Sequence, residues 1–244
     1  MHRALAHFQL GRWNLFVAIS LFLFISGIWI SCLPATCILW SRIFSVGLRT
    51  LPLHASLGVT ERYVTSSLRL EIPYLAMDAL PPSLVQWSVT CIVTILLLAV
   101  TFFLPSQWIP LIYLLRGVVL VQATALAYFA VFPVSFPHTP ASYLGGFAEA
   151  WLALISIVPL LLGLTFYIFD FGLLKKVFLT FLIMVHLMFF IPLQILLQAL
   201  ILQKTVLFMP LLYIVFGMPV DVLLVIAFYS WGMSWPFRGA SNPS

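Results

Sequence analysis

Apolar runs of roughly twenty residues, separated by short polar or proline-containing breaks, recur along almost the whole chain. A hydrocarbon layer of about 30 Å, crossed at about 1.5 Å per residue, needs about 20 such residues per helix. Six stretches qualify: 14–40, whose apolar part is Asn14 to Leu33, then 85–104, 109–132, 143–170, 177–202 and 205–230. Pro105-Ser106-Gln107-Trp108 alone separates the second from the third, which predicts a tight antiparallel hairpin. Prolines 133, 137 and 140 mark the next loop, Gly172 with Lys175-Lys176 the next turn, and Gln203-Lys204 the last. The pattern predicts an all-α polytopic membrane protein with about six transmembrane helices and one small extramembrane β-containing segment. Residues 1–13 form a leader, 85–230 a five-helix bundle, and 231–244 a polar tail.

The exception is the stretch 41–84. It holds four arginines, Glu61, Glu71 and Asp78, with prolines at 52, 73, 81 and 82. Leu68-Arg69-Leu70-Glu71-Ile72 alternates apolar and polar, the period of a half-buried strand, and Arg62 to Ser67 is polar but β-compatible. This segment is expected outside the membrane as a surface β-hairpin. Two strands alone are marginal in water, so it should lean on the helices or on another protein.

Composition strengthens the membrane reading. Of 244 residues, 64% are hydrophobic and only 7% charged, against roughly 25% charged in soluble domains. The net charge of +5 is scattered, with no patch or stripe, so it marks topology and not a nucleic-acid surface. Three cysteines (Cys32, Cys37 and Cys91) form no zinc-binding spacing. They read as buried thiols, or as a Cys32–Cys37 pair at a helix end. The first apolar stretch exceeds a signal-peptide core and lacks a clean cleavage site, so it is expected to remain as a membrane helix. Trp40, Trp87, Trp108, Trp231 and Trp235 fall near predicted span ends, where amphipathic rings meet headgroups.

A few residues inside spans are expensive enough in lipid to need a reason. Arg116, well inside the third span, would cost about 2.5–3.5 kcal/mol at mid-membrane. It either snorkels to the headgroups or faces the bundle and a carboxylate, with Ala123 and Ala127 on its face for close packing. Glu149 shares a face with Gly146, Ala153 and Ser156, a small-residue pattern expected at a helix interface. In the sixth span Gly217 and Pro219 predict a break, with Pro219 first and Asp221 third in a new half-helix. A carboxylate there can cap free N–H groups, or share the site with a ligand, as broken helices of transporters do. His186, Gln194 and Gln198 mark the fifth span, the two amides on one stripe suited to bonds across to another helix.

There is no phosphate-cradling Gly-x-x-x-x-Gly-Lys, no His-Glu-x-x-His and no Gly-x-Ser-x-Gly. No cofactor, metal or nucleic acid is therefore expected. The leading expectation is a non-catalytic subunit or assembly factor of a bacterial-type inner-membrane complex, in contact with lipid and with other membrane subunits. The alternatives are a small transporter or channel-like carrier using Arg116, Glu149 and Asp221, and an intramembrane enzyme acting on lipid or a lipid-linked substrate. Arg3, Arg12 and Lys175-Lys176 orient both termini to the cytoplasm, against the vote of the arginines in 41–84. With the native cysteines removed, Ser56→Cys should react with an impermeant maleimide in intact cells. Labelling only after membrane rupture would reverse the orientation.

Overall fold

The computed structural model describes residues 12–63, 69–78, 81–132, 138–168, 173–215 and 217–234. Leader residues before 12, including Arg3, lie outside these, as do Pro133, Pro137, Gly172 and the tail with Trp235 and Arg238. In chain order the elements are α1 (Arg12–Thr50), β1 (Ser56–Tyr63), β2 (Arg69–Ala76), α2 (Leu84–Phe103) and α3 (Ile109–Val131). They continue as α4 (Pro140–Ile168), α5 (Leu173–Leu202), α6 (Met209–Val215) and α7 (Met218–Met233). Among the described residues six helical stretches are long and apolar enough to cross a membrane, α6 and α7 forming the two halves of the last. The chain is a multi-pass, all-α membrane protein with one small antiparallel sheet.

The first helix runs past its expected end at 40. Its 39 residues span about 58 Å at about 1.5 Å each, nearly twice the hydrocarbon thickness. The reason is a helical period that persists through the charged stretch: Leu33, Cys37, Trp40, Phe44 and Gly47 are all buried at spacings of three and four. Arg42, Arg49 and Thr50 fall on the exposed side of the same helix. Trp40 is accordingly fully enclosed and is not a headgroup ring, whereas Trp108 and Trp231 remain about half exposed.

By compactness the chain divides into two units. One comprises Met1–Leu33, Trp151–Phe190 and Val220–Ser244, the other Pro34–Ala150 and Ile191–Pro219. Three of the four divisions fall at or beside a proline: Pro34, Pro192 and Pro219. Pro34 and Pro192, inside helices, each remove one backbone hydrogen bond, whereas Pro219 lies in a first turn, whose N–H groups have no intrahelical partner.

In the first unit, α1 and α4 approach closely at Gly163, where an added Cβ would touch Phe22 at 3.5 Å. Trp29 Nε1 donates to Ser156 Oγ at 2.8 Å, joining the same two helices. Gly232 admits the side chain of Leu179, bringing α7 onto α5.

The second unit contains the sheet, with β1 and β2 antiparallel from Ser56↔Ala76 to Tyr63↔Arg69. The first strand begins upstream of the expected Arg62–Ser67, and residues 64–68 lie outside the description. β2 is the inner strand, with Leu70, Ile72 and Leu75 buried, while β1 stays exposed or half-exposed throughout. α2 opens on a capping box: Ser83 Oγ accepts from Gln86 N, and Gln86 Oε1 accepts from Ser83 N. Its buried positions are Thr90, Thr94 and Thr101, and its apolar residues point outward. Each hydroxyl donates to a carbonyl one turn back, so the buried polar face leaves no donor unmet. Trp87 Nε1 bonds the Leu126 carbonyl at 3.0 Å and ties α2 to α3.

Of the expected packing face of Gly146, Ala153 and Ser156 beside Glu149 on α4, the structure brings Ser156 to Trp29 of α1 but buries neither Gly146 nor Ala153. Both are exposed, and no atom lies within 4 Å of a Cβ built on Gly146. Ala123 and Ala127 on α3 are exposed as well. Small residues permit close packing but do not attract it, and the buried side of α4 is set by the larger Leu144, Phe147, Trp151, Leu152 and Ile155. Leu152→Ala should therefore cost about 2–5 kcal/mol. Ala153→Leu should stay within about 0.5 kcal/mol of the parent. Thermal unfolding in detergent measures both, and a larger loss for Ala153→Leu would restore the small-residue interface.

Candidate functional site

The break in the last span is present: α6 ends at Val215 and α7 starts at Met218. Gly217 is sterically required there, because a Cβ would run into the Tyr213 carbonyl oxygen. Pro219 follows in the first turn of α7, where a missing N–H costs nothing. The helix starts one residue earlier than expected, so Asp221 is its fourth residue and not its third. Its side chain is completely enclosed and accepts a hydrogen bond from Trp151 Nε1 of α4. This bond ties the start of the half-helix to α4 within one unit.

In the same unit His186 is half-buried between two aromatic rings. It stacks on Phe190 at 5.3 Å and meets the edge of Phe228 at 4.9 Å. Its Nε2 is buried without a hydrogen-bond partner among the described residues. The ring is packed as an aromatic core residue between α5 and α7.

In the second unit Glu149 takes a different partner from the one its helix face suggested. Arg62 of β1 donates to Glu149 Oε2 from Nη2 at 2.6 Å and from Nε at 3.0 Å. Glu149 in turn raises the Arg62 guanidinium above its ordinary pKa, first through the hydrogen bond and then through its charge. One turn before Glu149, Gly145 passes close to the Tyr74 ring, which a Cβ added there would touch at 3.5 Å. That ring also covers Gly58 on the neighbouring strand. α4 thus presents Gly145 and Glu149 at i,i+4 as the seat of the hairpin. Arg69 of β2 pairs with Glu61 of β1 across the two strands and lies 3.9 Å from Glu71 of its own strand.

The amide stripe of α5 splits. Gln198 Oε1 accepts from the Tyr143 hydroxyl of α4 at 2.8 Å. Gln194, also buried, has neither amide atom paired among the described residues. A third amide, Gln122 of α3, is 4% exposed and donates to the Leu207 carbonyl at 3.3 Å. Gln86 Nε2 reaches the Lys204 carbonyl at 3.0 Å, so two amides hold the α5–α6 turn. Arg116 is exposed, donates Nε to Thr101 Oγ1 at 3.3 Å and lies 5.0 Å over the Phe102 ring. No carboxylate lies within ion-pair distance of it among the described residues.

Of the residues expected for a carrier, Arg116 and Glu149 belong to the second unit and Asp221 to the first. Glu149 and Asp221 each hold a different pair of elements together, and Arg116 faces outward. Among the described residues, no three His, Cys, Asp or Glu side chains gather as a metal ion would require. Trp151, Tyr143, Gln122 and Arg62 are partners that the sequence pattern alone does not single out. The available signal was that each carries a donor that lipid or a buried interface cannot leave unpaired. No family model matches the chain, and no match was found among curated proteins or solved structures.

Trp151→Phe keeps an aromatic ring and removes the indole donor, and it should cost about 1.5–3 kcal/mol, the range for a hydrogen bond to a charged group. Asp221→Asn retains an accepting oxygen and should cost about 1 kcal/mol. Adding Trp151→Phe to Asp221→Asn should then cost less than Trp151→Phe alone. Equal costs in both backgrounds, measured by unfolding in detergent, would disconnect the two side chains.

Proposed function

We propose that this chain is a non-catalytic, multi-pass subunit or assembly factor of a bacterial-type inner-membrane complex, with both termini in the cytoplasm. The observation that carries this reading is the hairpin. A β-hairpin is held on α4 by Arg62–Glu149 and Tyr74–Gly145, while its outer strand leaves Leu57, Val59 and Tyr63 exposed. In a segment expected to lie outside the membrane, a fixed strand with an open edge and apolar side chains suits contact with another protein. The polar groups within the spans support the same reading, since Asp221, Glu149 and Gln198 are used in holding this chain's own elements together. A second reading, a small carrier, draws on Gln194, whose buried amide has no partner among the described residues.

Purification in mild detergent tests the two. A subunit should come with stoichiometric membrane partners, and Val59→Asp, on an exposed position, should reduce their recovery at least tenfold at unchanged yield of the chain itself. A lone monomer whose cellular function is abolished by Gln194→Leu at normal abundance would favour the carrier instead.

A further inference from the structure

We propose that the α2–α3 turn carries a binding site for the phosphate of a membrane phospholipid, with Arg116 as its cationic anchor. Arg116 lies seven residues beyond the start of α3, about 10 Å of helix. Its side chain returns toward the turn, because Thr101 and Phe102 belong to the last turn of α2. The guanidinium thus lies beside the last turn of an apolar span, the end at which a bilayer places its headgroups. Thr101 takes the Nε–H, and the Phe102 ring takes one face of the group. The two Nη amino groups have no acceptor among the described residues, in a position open to the lipid side.

A guanidinium in such surroundings needs an anion, and its fork geometry matches two phosphate oxygens. A further feature favours a lipid headgroup at this end of the hairpin. Trp108 and Tyr113, 50% and 69% exposed, are the ring types that settle at headgroup level. The phosphate would lie on the Arg116 fork, the acyl chains along the outward apolar face of α2. This site stands independently of the subunit reading, since it needs only the bilayer.

The test uses the purified, delipidated full chain in detergent, with bound lipid counted by native mass spectrometry. Phosphatidylglycerol should bind at least tenfold more tightly to the parent than to Arg116→Gln, with Arg116→Lys between them because an ammonium lacks the fork and the ring stacking. Diacylglycerol, which has no phosphate, should not show this difference. Inorganic phosphate at the same concentration should not displace the lipid. Equal affinity of parent and Arg116→Gln for phosphatidylglycerol overturns the proposal, and full displacement by inorganic phosphate reassigns the site to a free anion. Should Arg116→Gln not fold, Phe102→Leu serves: at least threefold weaker binding supports the site, and unchanged binding removes it.

Discussion

A polar atom inside a bilayer has no water to turn to, so every donor placed there must find an acceptor within the chain. At several of its largest side chains this protein meets that demand with single long-range hydrogen bonds, while the Gln194 amide has no partner among the described residues. Trp29 reaches Ser156, Trp87 reaches the Leu126 carbonyl, and Trp151 reaches Asp221. Each indole has one donor and a wide apolar body, so one bond satisfies it while the ring fills the interface. The Tyr143 hydroxyl on Gln198 and Gln122 on the Leu207 carbonyl follow the same rule. Between apolar helices in an apolar solvent, such bonds select which faces meet.

The same constraint governs α2 and the broken last span. α2 buries threonines and exposes leucine, valine and isoleucine, the reverse of a soluble helix, because its outer solvent is lipid. At the break, Gly217 gives the room that any Cβ would deny, Pro219 starts the new half-helix, and the Asp221–Trp151 bond holds that start to α4. α4 and α5 bury 56% of their apolar windows against 17% for α2, so the bonds described fall mainly on the two most enclosed spans.

Outside the spans a two-stranded sheet has too little core to stand alone, and here it rests on α4. Arg62 and Tyr74 come from the two strands, and Glu149 and Gly145 from one face of the helix. Arg62 itself is largely exposed, so the ion pair contributes modestly to stability and chiefly fixes position. The exposed arginine of α3 is the contrasting case: a charge without a protein carboxylate among the described residues, held against Thr101 and the Phe102 ring.

How much of this was legible follows from the range of each interaction. Hydropathy sums local transfer free energies, so the membrane class, the six spans, the proline-glycine break and the presence of a β-capable segment can be read along the chain. The end of α1 could also have been read, from the period of Cys37, Trp40, Phe44 and Gly47, but the charges at Arg42 and Arg49 masked it. Residue types likewise singled out Glu149, Asp221 and Gln198 as needing partners. They could not name them, because Arg62 and Glu149 are 87 residues apart, Trp151 and Asp221 are 70, and Trp29 and Ser156 are 127. Nor could small residues show that the Gly146–Ala153 side of α4 is exposed. Lipid and a neighbouring helix are equally apolar, so hydrophobicity cannot tell an outward face from an inward one, and only tertiary packing decided which donor met which acceptor.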